Sequence, residues 1–299
     1  MPLLMNDPTQ TQPTGLTGQP ANRLKTYAGF VKLEHAVFSL PLIYAGALLT
    51  PRAVLNARLA VLILLAAIGG RIMAMGLNRI IDAEIDARNP RTRGRELPRG
   101  AMQRGEAWGI VALAGLLYVA SAWAIAPICL QLSPIPVVLF VIYPYLKRFT
   151  SFSHLGLGLA WSMAPLGGWL AASRSLSGFS EIVWLWLFSI LWVTGFDIIY
   201  ATMDEAFDRE AGLRSLPARM GKRPALRVAA ILHAAAFLSL VALLRGSLHP
   251  SPLALVWLAA IGALFIWQHA VASRRPAFAF FQLNGALGFL VFGFVASGP

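Results

Sequence analysis

Long apolar runs alternate with short polar connections along most of this chain. Spanning a bilayer takes roughly 20 apolar residues, and nine segments approach that length. They lie near residues 30–50, 59–81, 107–126, 128–146, 154–173, 181–203, 225–245, 251–271 and 278–297. Only a short break around Pro127 divides the third segment from the fourth, which we interpret as a tight turn between two helices. The pattern predicts an all-α polytopic membrane protein with nine transmembrane helices.

The start of the chain lacks this pattern. Residues 1–22 are rich in Pro, Thr, Gln and Gly and show no periodicity, which predicts a disordered tail. The tail has neither the basic start nor the apolar core of a signal peptide. We therefore expect a tail over residues 1–22 and a single intramembrane domain over residues 23–299.

Composition supports the membrane prediction. Hydrophobic residues make up 57% of the 299 positions and charged residues 13%, whereas soluble domains are about 45–50% apolar and about 25% charged. The single cysteine, Cys129, excludes an internal disulfide.

The net charge of +12 is explained by topology. Of the 25 Lys and Arg residues, 19 fall on the side of the N-terminus, four on the other side and two within a span. An excess of basic residues marks the cytoplasmic side of a membrane protein. We therefore expect a cytoplasmic N-terminus, a bilayer as the chain's surroundings and no nucleic-acid partner.

Acidic residues are concentrated where the second apolar segment ends. Asn78, Asp82 and Asp86 are spaced four apart, so on a helix they project from one face. Like charges at this spacing destabilise a helix unless something positive lies between them. The simplest occupant is a divalent cation.

The sixth apolar segment ends in a similar way. Asp204 and Asp208 are four apart, and Asp197 lies seven residues before Asp204, about two helical turns. Nine of the chain's 13 acidic residues fall in or beside these two stretches. By the predicted topology both stretches face the cytoplasm, and a central cavity open to that side would bring them together.

Carboxylates and basic side chains on one membrane face suit a metal-assisted phosphate site. Mg²⁺ prefers carboxylate oxygens together with substrate phosphates, and basic side chains would neutralise the remaining phosphate charge. The candidates for the basic role are Arg91, Arg95, Lys147, Arg148 and Arg214. A diphosphate carrying a long hydrophobic chain is the substrate class that explains why such a site lies in a membrane.

These motifs resemble those of the UbiA superfamily of intramembrane prenyltransferases, and the likeness covers roughly residues 25–295. The motifs are Asn78-x-x-x-Asp82-x-x-x-Asp86, Arg91-Thr92-x-x-Arg95-x-Leu97-Pro98, Tyr143-x-x-x-Lys147-Arg148 and Asp197-x-x-Tyr200-x-x-x-Asp204-x-x-x-Asp208. A lone Asp-x-x-x-Asp is weak evidence. Two of them at helix ends, with the other motifs between them in this order, are highly specific.

The resemblance implies Mg²⁺-dependent transfer of a polyprenyl group from its diphosphate to an aromatic acceptor. It implies that Asp82, Asp86, Asp204 and Asp208 bind the metal and diphosphate. The remaining residues that we assign to the site are Asn78 and Asp197 as supports for the acid pairs, and Arg91, Arg95, Lys147, Arg148, Tyr143, Tyr200, Arg214 and Arg71 as substrate-binding residues. For Arg71 two interpretations stand: it lines the substrate cavity, or it pairs with a buried acid.

Within the superfamily the chain looks like the 4-hydroxybenzoate polyprenyltransferase branch. The likeness rests on Lys32-x-Glu34-His35, Phe38-x-Leu40-Pro41 and Asn89-Pro90-Arg91-Thr92. It implies a place in ubiquinone or menaquinone biosynthesis at a bacterial inner membrane, with 4-hydroxybenzoate or a related dihydroxynaphthoate as acceptor. One position departs from the pattern: many relatives carry an acid directly after the first Asn, where this chain has Arg79.

A mechanism follows as a hypothesis. Departure of the diphosphate would leave an allylic cation, which the electron-rich ring attacks before losing a proton, and aromatic side chains such as Phe196 would stabilise the cation. Alternative acceptors within this class are haem, chlorophyllide and a homogentisate-type ring. An alternative of another class is a secondary transporter, since intramembrane acids also mark ion pathways. Transporters place their site near the midplane of repeats, whereas both acid clusters here are predicted at one face.

Overall fold

The computed structural model of the protein describes residues 20–32, 39–50 and 55–298, and all regular elements in these ranges are helical. The α-helices are α1 (Pro20–Val31), α2 (Leu40–Leu48), α3 (Ala57–Ile81), α4 (Ala83–Arg88), α5 (Arg104–Ile125), α6 (Pro127–Leu132), α7 (Pro134–Phe149), α8 (Ser153–Ser173), α9 (Phe179–Ala201), α10 (Glu205–Glu210), α11 (Leu216–Met220), α12 (Lys222–Gly246), α13 (Pro252–Ala272), α14 (Pro276–Phe278) and α15 (Asn284–Ala296). A π-helical turn, Ala279–Leu283, connects α14 to α15.

Within the described ranges, eight helical segments are long and apolar enough to cross a membrane. They are α3, α5, α6 with α7, α8, α9, α12, α13 and the segment Pro276–Ala296. The all-α membrane fold is therefore confirmed, whereas the count of nine stays a prediction. The predicted first span, 30–50, is represented by the end of α1 and the nine residues of α2. Residues 33–38 between them, including Glu34, His35 and Phe38, lie outside the described part of the chain.

The described residues begin within the last three positions of the predicted tail. Helix α1 begins at Pro20, three residues inside the predicted tail, while residues 1–19 lie outside the described ranges. Helix α1 stops at Val31 because Lys32 has a positive φ of 48°, which an α-helix cannot accommodate. The break between two helices at Pro127 is as predicted: Ala126 is extended and separates α5 from α6.

The centre of the bundle is α9, the most enclosed of these spans. Its Phe188 and Trp192 are fully buried, as is Trp169 from α8. Other spans carry large apolar side chains on their outer surfaces, for example Trp123 and Ile266, which are 71% and 75% exposed. An apolar exterior beside an apolar core is expected where the solvent is lipid.

Both acid clusters lie where a long helix ends, as predicted by the limits of the apolar segments near residues 81 and 203. Helix α3 ends at Ile81, and Asp82 lies between α3 and α4. Helix α9 ends at Ala201, and Asp204 directly precedes α10. The four-residue geometry nevertheless persists, because the N–H of Asp86 donates to the carbonyl of Asp82 at 2.8 Å. The breaks leave the carboxylates at helix ends, on one end of the bundle.

Candidate active site

The two acid clusters line one cavity of about 720 Å³ at this end of the bundle. Its walls come from α3, α7, α8 and α9, and the short segments that follow α3 and α9 cover it. All six residues predicted for the two clusters are in the lining: Asn78, Asp82, Asp86, Asp197, Asp204 and Asp208. The convergence that the sequence predicted is therefore present in the fold.

Asp82 is the most enclosed acid of the first cluster, with a side chain that is 4% exposed. Lys147 donates to its Oδ2 at 2.6 Å, and Asn78 approaches the same oxygen at 3.3 Å. Arg148 lies 3.7 Å from Oδ1 and donates to the carbonyl of Ile81 at 2.8 Å. Oδ1 itself is buried without a hydrogen bond. Burial raises the pKa of Asp82, and Lys147 opposes that rise.

Asp86 is paired through the segment that follows α4. Arg95 donates to Asp86 Oδ2 at 2.6 Å. The Thr92 hydroxyl donates to the Asp86 carbonyl at 3.2 Å, which holds the segment against the helix end. Two cations from different elements, Lys147 and Arg95, therefore compensate the first acid pair.

Arg91 reaches across the cavity to the second cluster. It forms a bidentate pair with Asp204, with Nε donating to Oδ1 at 2.8 Å, and its Nη1 donates to the Tyr200 hydroxyl at 2.6 Å. Asn89 donates to Asp204 Oδ1 at 2.9 Å. Burial alone would raise the pKa of Asp204, but these bonds from Arg91 and Asn89 outweigh it and hold that pKa below its ordinary value. The segment after the first cluster thus organises the second.

Asp208 lies beside Ser215, and Asp197 lies beside His154. Burial raises the pKa of Asp208, the nearby Ser215 hydroxyl opposes that rise, and the negative charge of Asp204 adds to it. Asp197 Oδ2 lies 2.6 Å from His154 Nδ1.

The other predicted residues divide between the cavity and its rim. Tyr143, Tyr200, Arg91, Arg95, Lys147 and Arg71 line the cavity, whereas Arg148 and Arg214 do not. Arg214 donates from its side chain to the carbonyl of Phe149 at 2.9 Å and from its backbone to that of Lys147 at 2.8 Å. Arg214 therefore anchors its own segment to the end of α7, and its substrate-binding role stays a prediction.

A second, mostly apolar cavity of about 410 Å³ lies deeper in the bundle. It is bordered by α3, α5, α6, α7 and α8, with Tyr118, Ile125 and Leu132 in its lining. The polar and apolar volumes meet where five residues line both cavities: Arg71, Ala74, Phe140, Ala160 and Trp161.

Aromatic rings form one wall of the polar cavity. Trp161 meets Phe196 with ring centroids 6.0 Å apart, Phe196 meets Phe280 at 5.4 Å, and Phe280 meets Tyr200 at 4.3 Å. Phe280 lies in the π-helical turn, and such turns frequently occur at functional sites. The electron-rich faces of these rings suit a cationic group.

Arg71 makes no ion pair with any residue that the structure describes. Its Nε is buried without a hydrogen-bond partner, and its guanidinium carbon lies 5.5 Å from the centre of the Trp161 ring. The interpretation of Arg71 as a cavity residue is therefore favoured over the one that pairs it with a buried acid.

Arg79, which stands where many relatives carry an acid, forms an ion pair within the structure. Its side chain is 6% exposed and forms an ion pair with Glu96, and the guanidinium lies 5.8 Å from the ring of Phe30. Arg79 thus fastens the end of α3 to the segment that presents Arg91 and Arg95.

Several lining residues were missed by the sequence reasoning: His154, Trp161, Phe280, Asn284 and Ser215. His154 and Asp197 are 43 residues apart, so no local spacing links them. An isolated Asn in an apolar segment, such as Asn284, is the one signal that the sequence did offer, because polar groups within spans usually face the interior.

The donor set of the cavity fits Mg²⁺ bound jointly with a phosphate ligand. The carboxylates and Asn side chains supply the oxygen ligands that Mg²⁺ prefers, and buried Asp82 Oδ1 lacks a partner. Among the described residues, no three His, Cys, Asp or Glu side chains gather around one point. The arrangement therefore suits the mode in which one or two carboxylates and substrate phosphates share the ion.

Comparisons with known proteins agree with this geometry. The description of the UbiA prenyltransferase family matches residues 39–295. A 4-hydroxybenzoate octaprenyltransferase of Vibrio cholerae is 27% identical over 277 residues, which cover 91% of this chain and 96% of the relative. The apo structure of a UbiA homolog from Aeropyrum pernix K1 is 35% identical, with a TM-score of 0.81 over 88% of this chain and 98% of that one. A UbiA homolog from Archaeoglobus fulgidus, solved bound to GPP and Mg²⁺, is 20% identical, with a TM-score of 0.66 over 91% and 99% of the two chains.

Proposed function

Because the chain belongs to the UbiA prenyltransferase family, we propose that it transfers a polyprenyl group from polyprenyl diphosphate to an aromatic acid, with Mg²⁺ as cofactor. The observation that carries this proposal is the convergence of two acid clusters and several basic side chains on one cavity that continues into an apolar one. A substrate with a diphosphate head and a hydrocarbon chain matches both volumes.

The diphosphate end would bind among the charged residues. Asp82, Asp86, Asp204 and Asp208 would hold Mg²⁺, which when bound neutralises diphosphate charge and improves the leaving group. Asn78 would orient Asp82, with which it shares a hydrogen bond. The binding of GPP and Mg²⁺ by the Archaeoglobus fulgidus homolog supports this arrangement.

On substrate binding, the basic side chains would exchange their carboxylate partners for phosphate oxygens. Lys147, Arg95 and Arg91 each neutralise one of the four acids. With Mg²⁺ held by the carboxylates, these basic side chains would be free to contact the diphosphate, for which the planar guanidinium is well suited. Such prepositioned positive charge stabilises the negative charge that develops as the diphosphate leaves.

The reaction would proceed by substitution at the allylic carbon. The bond between that carbon and the bridging oxygen breaks, its electron pair leaves with the diphosphate, and the allylic fragment is left cationic. A ring carbon of the acceptor forms the new carbon–carbon bond with a π electron pair, and the proton on that ring carbon is then released. Phe196, Tyr200, Phe280 and Trp161 lie along the cavity wall, where their faces would stabilise the cation by about 0.5–2 kcal/mol each.

Arg71 supports a carboxylate-bearing acceptor. A buried guanidinium without a counter-ion is costly in a membrane interior, and a carboxylate satisfies it through a bidentate contact. Arg71 lies beside the aromatic wall, so a ring whose carboxylate reaches Arg71 lies near the proposed cation. The 4-hydroxybenzoate octaprenyltransferase relative favours 4-hydroxybenzoate or a related dihydroxynaphthoate as that acceptor over haem, chlorophyllide or homogentisate, which also carry carboxylates.

The cellular setting follows from the same proposal. A polyprenylated aromatic acid is a precursor of a membrane quinone, so the protein would act in ubiquinone or menaquinone biosynthesis. The basic connections lie at the same end of the bundle as the cavity, so by the positive-inside rule the site would face the cytoplasm. The membrane would be a bacterial inner membrane.

The test is an acceptor panel. Membranes containing the protein are incubated with radiolabelled geranyl diphosphate and each candidate ring, with Mg²⁺ or with EDTA. We expect labelled product from 4-hydroxybenzoate or the dihydroxynaphthoate in the presence of Mg²⁺ and no product in the presence of EDTA. Product from haem or homogentisate alone would overturn the acceptor assignment, and EDTA-resistant transfer would overturn the cofactor assignment.

A further inference from the structure

His154 connects two parts of the candidate site that are far apart in sequence. Its Nδ1 lies 2.6 Å from Asp197 Oδ2, and its Nε2 lies 3.1 Å from the backbone nitrogen of Leu216. The His154 side chain is 6% exposed. A single imidazole thus joins α8 to α9 on one side and to the start of α11 on the other.

These two contacts determine which nitrogen carries the proton. The Leu216 backbone N–H can only donate, so Nε2 of His154 must be the acceptor. The ring proton therefore lies on Nδ1 and is donated to Asp197, in the neutral tautomer. Asp197 Oδ1 has no hydrogen bond among the described residues and remains available to the cavity.

The contact with Leu216 extends to the second acid pair. Leu216 is preceded by Ser215, which is 4% exposed and whose hydroxyl lies close enough to Asp208 to lower the pKa of that carboxyl. The backbone of Leu213 also donates to the carbonyl of Asp208 at 2.8 Å. A shift at the start of α11 therefore moves the partners of Asp208.

No other histidine in the described ranges lines the cavity. His233 and His269 pair with each other at 2.9 Å, away from it. His249 is exposed in the connection after α12, at the other end of the bundle.

We propose that His154 is a positioning residue of the prenyl-transfer site: it orients Asp197 and, through Leu216 and Ser215, fixes Asp208 for binding of Mg²⁺ and diphosphate. The inference rests on the proposed function. Partners that orient the ligands of a metal usually change metal affinity by about 10–100-fold when removed. His154 would orient Asp208 in this way through two intermediate residues, Leu216 and Ser215.

The first experiment measures binding rather than turnover. Isothermal titration calorimetry of the purified full chain in lipid nanodiscs follows Mg²⁺-dependent binding of inorganic pyrophosphate to the wild type, His154→Ala, His154→Gln and the control His249→Ala. We expect His154→Ala to bind about 10–100-fold more weakly. His154→Gln should stay within about threefold of wild type, because its amide keeps one donor and one acceptor. His249→Ala should match the wild type.

A double variant tests whether His154 acts through Ser215. Ser215→Ala removes the hydroxyl that contacts Asp208, and we expect it to weaken pyrophosphate binding by itself. If both residues act along one path, His154→Ala with Ser215→Ala binds little more weakly than His154→Ala alone. Hydrogen exchange over residues 211–221 should rise in His154→Ala and stay near the wild-type level in His154→Gln.

The outcomes separate the inference from the proposed function. Wild-type binding by His154→Ala, equal loss in the Ala and Gln variants, or fully additive losses in the double variant would each overturn the positioning role. The proposed function would survive those results as long as the wild type binds Mg²⁺ with pyrophosphate. A wild type that binds neither would overturn both.

Discussion

Replacing Arg71 by Met tests how the site selects its acceptor. Met keeps an unbranched, flexible stem next to Trp161 but removes the guanidinium. The wild-type Nε is buried without a hydrogen bond, and the guanidinium has no ion-pair partner among the described residues. The substitution should therefore leave the thermal midpoint unchanged or raise it, unlike the removal of one partner from a buried pair.

The effect on catalysis should be large and confined to one substrate. Hydrogen bonds that involve a charged group contribute about 1.5–3 kcal/mol each, and a bidentate contact lies at the upper end of that range. A loss of about 3 kcal/mol corresponds to roughly 100-fold in kcat/KM, because 1.4 kcal/mol is a factor of ten. The KM for prenyl diphosphate should change little, since the proposed diphosphate contacts lie with Lys147, Arg91 and Arg95.

The assay compares two acceptors of nearly equal shape. Initial rates are measured with 4-hydroxybenzoate and with the neutral 4-hydroxybenzamide for the wild type and Arg71→Met. We expect the wild type to prefer the acid, and the variant to lose that preference through a fall in its kcat/KM for the acid alone. An equal fall for both acceptors would refute the assignment, because it would show that Arg71 acts on the reaction and not on the carboxylate.

Three further outcomes follow from the geometry. Glu96→Gln leaves Arg79 buried without its ion-pair partner, so it should lower the free energy of unfolding by about 3–5 kcal/mol. The double variant Arg79→Met with Glu96→Leu removes both charges and should lower that free energy less. Thermal unfolding of all variants in the same detergent measures the difference. In Arg91→Lys, the ammonium group cannot reproduce the bidentate pair with Asp204 together with the bond to Tyr200. We therefore expect kcat/KM for prenyl diphosphate to fall about tenfold or more. Wild-type kinetics would contradict this expectation. On acidification, Asp82 and Asp208 should protonate at a higher pH than an ordinary aspartate because their pKa values are raised; calorimetric Mg²⁺ affinity in the presence of pyrophosphate should therefore weaken before an ordinary carboxylate would begin to titrate.

The membrane fold and the acid clusters were accessible from the sequence because their signals are local. A run of some 20 apolar residues is sufficient to predict a span, and four-residue spacing of acids is sufficient to predict a shared helix face. The position of the clusters at helix ends was also predictable, since the apolar pattern stops there. The short helices α4 and α10 that follow Asp82 and Asp204 were not predicted, because residue spacing alone does not show whether a helix stops or restarts at a new angle.

The pairings across the cavity depend on the tertiary fold. Arg91 meets Asp204, and Lys147 meets Asp82, only because α3, α7 and α9 come together at one end of the bundle. The sequence predicted a divalent cation between the acids, and the structure places the chain's own basic side chains on three of them. His154 belongs to the same class, because its partners are a carboxylate and a backbone N–H from other elements.

The central claim is that the two acid clusters form one binding site for Mg²⁺ and a diphosphate. The most direct measurement is calorimetric titration of Mg²⁺ and pyrophosphate into the wild type, Asp82→Asn and Asp204→Asn in nanodiscs, with each variant checked for a folded, monodisperse state. We expect either substitution alone to weaken joint binding by about 100-fold or more, the upper range for loss of a charged partner in a buried site. Undiminished binding in either variant would show that its cluster lies outside the site, and the account would be wrong.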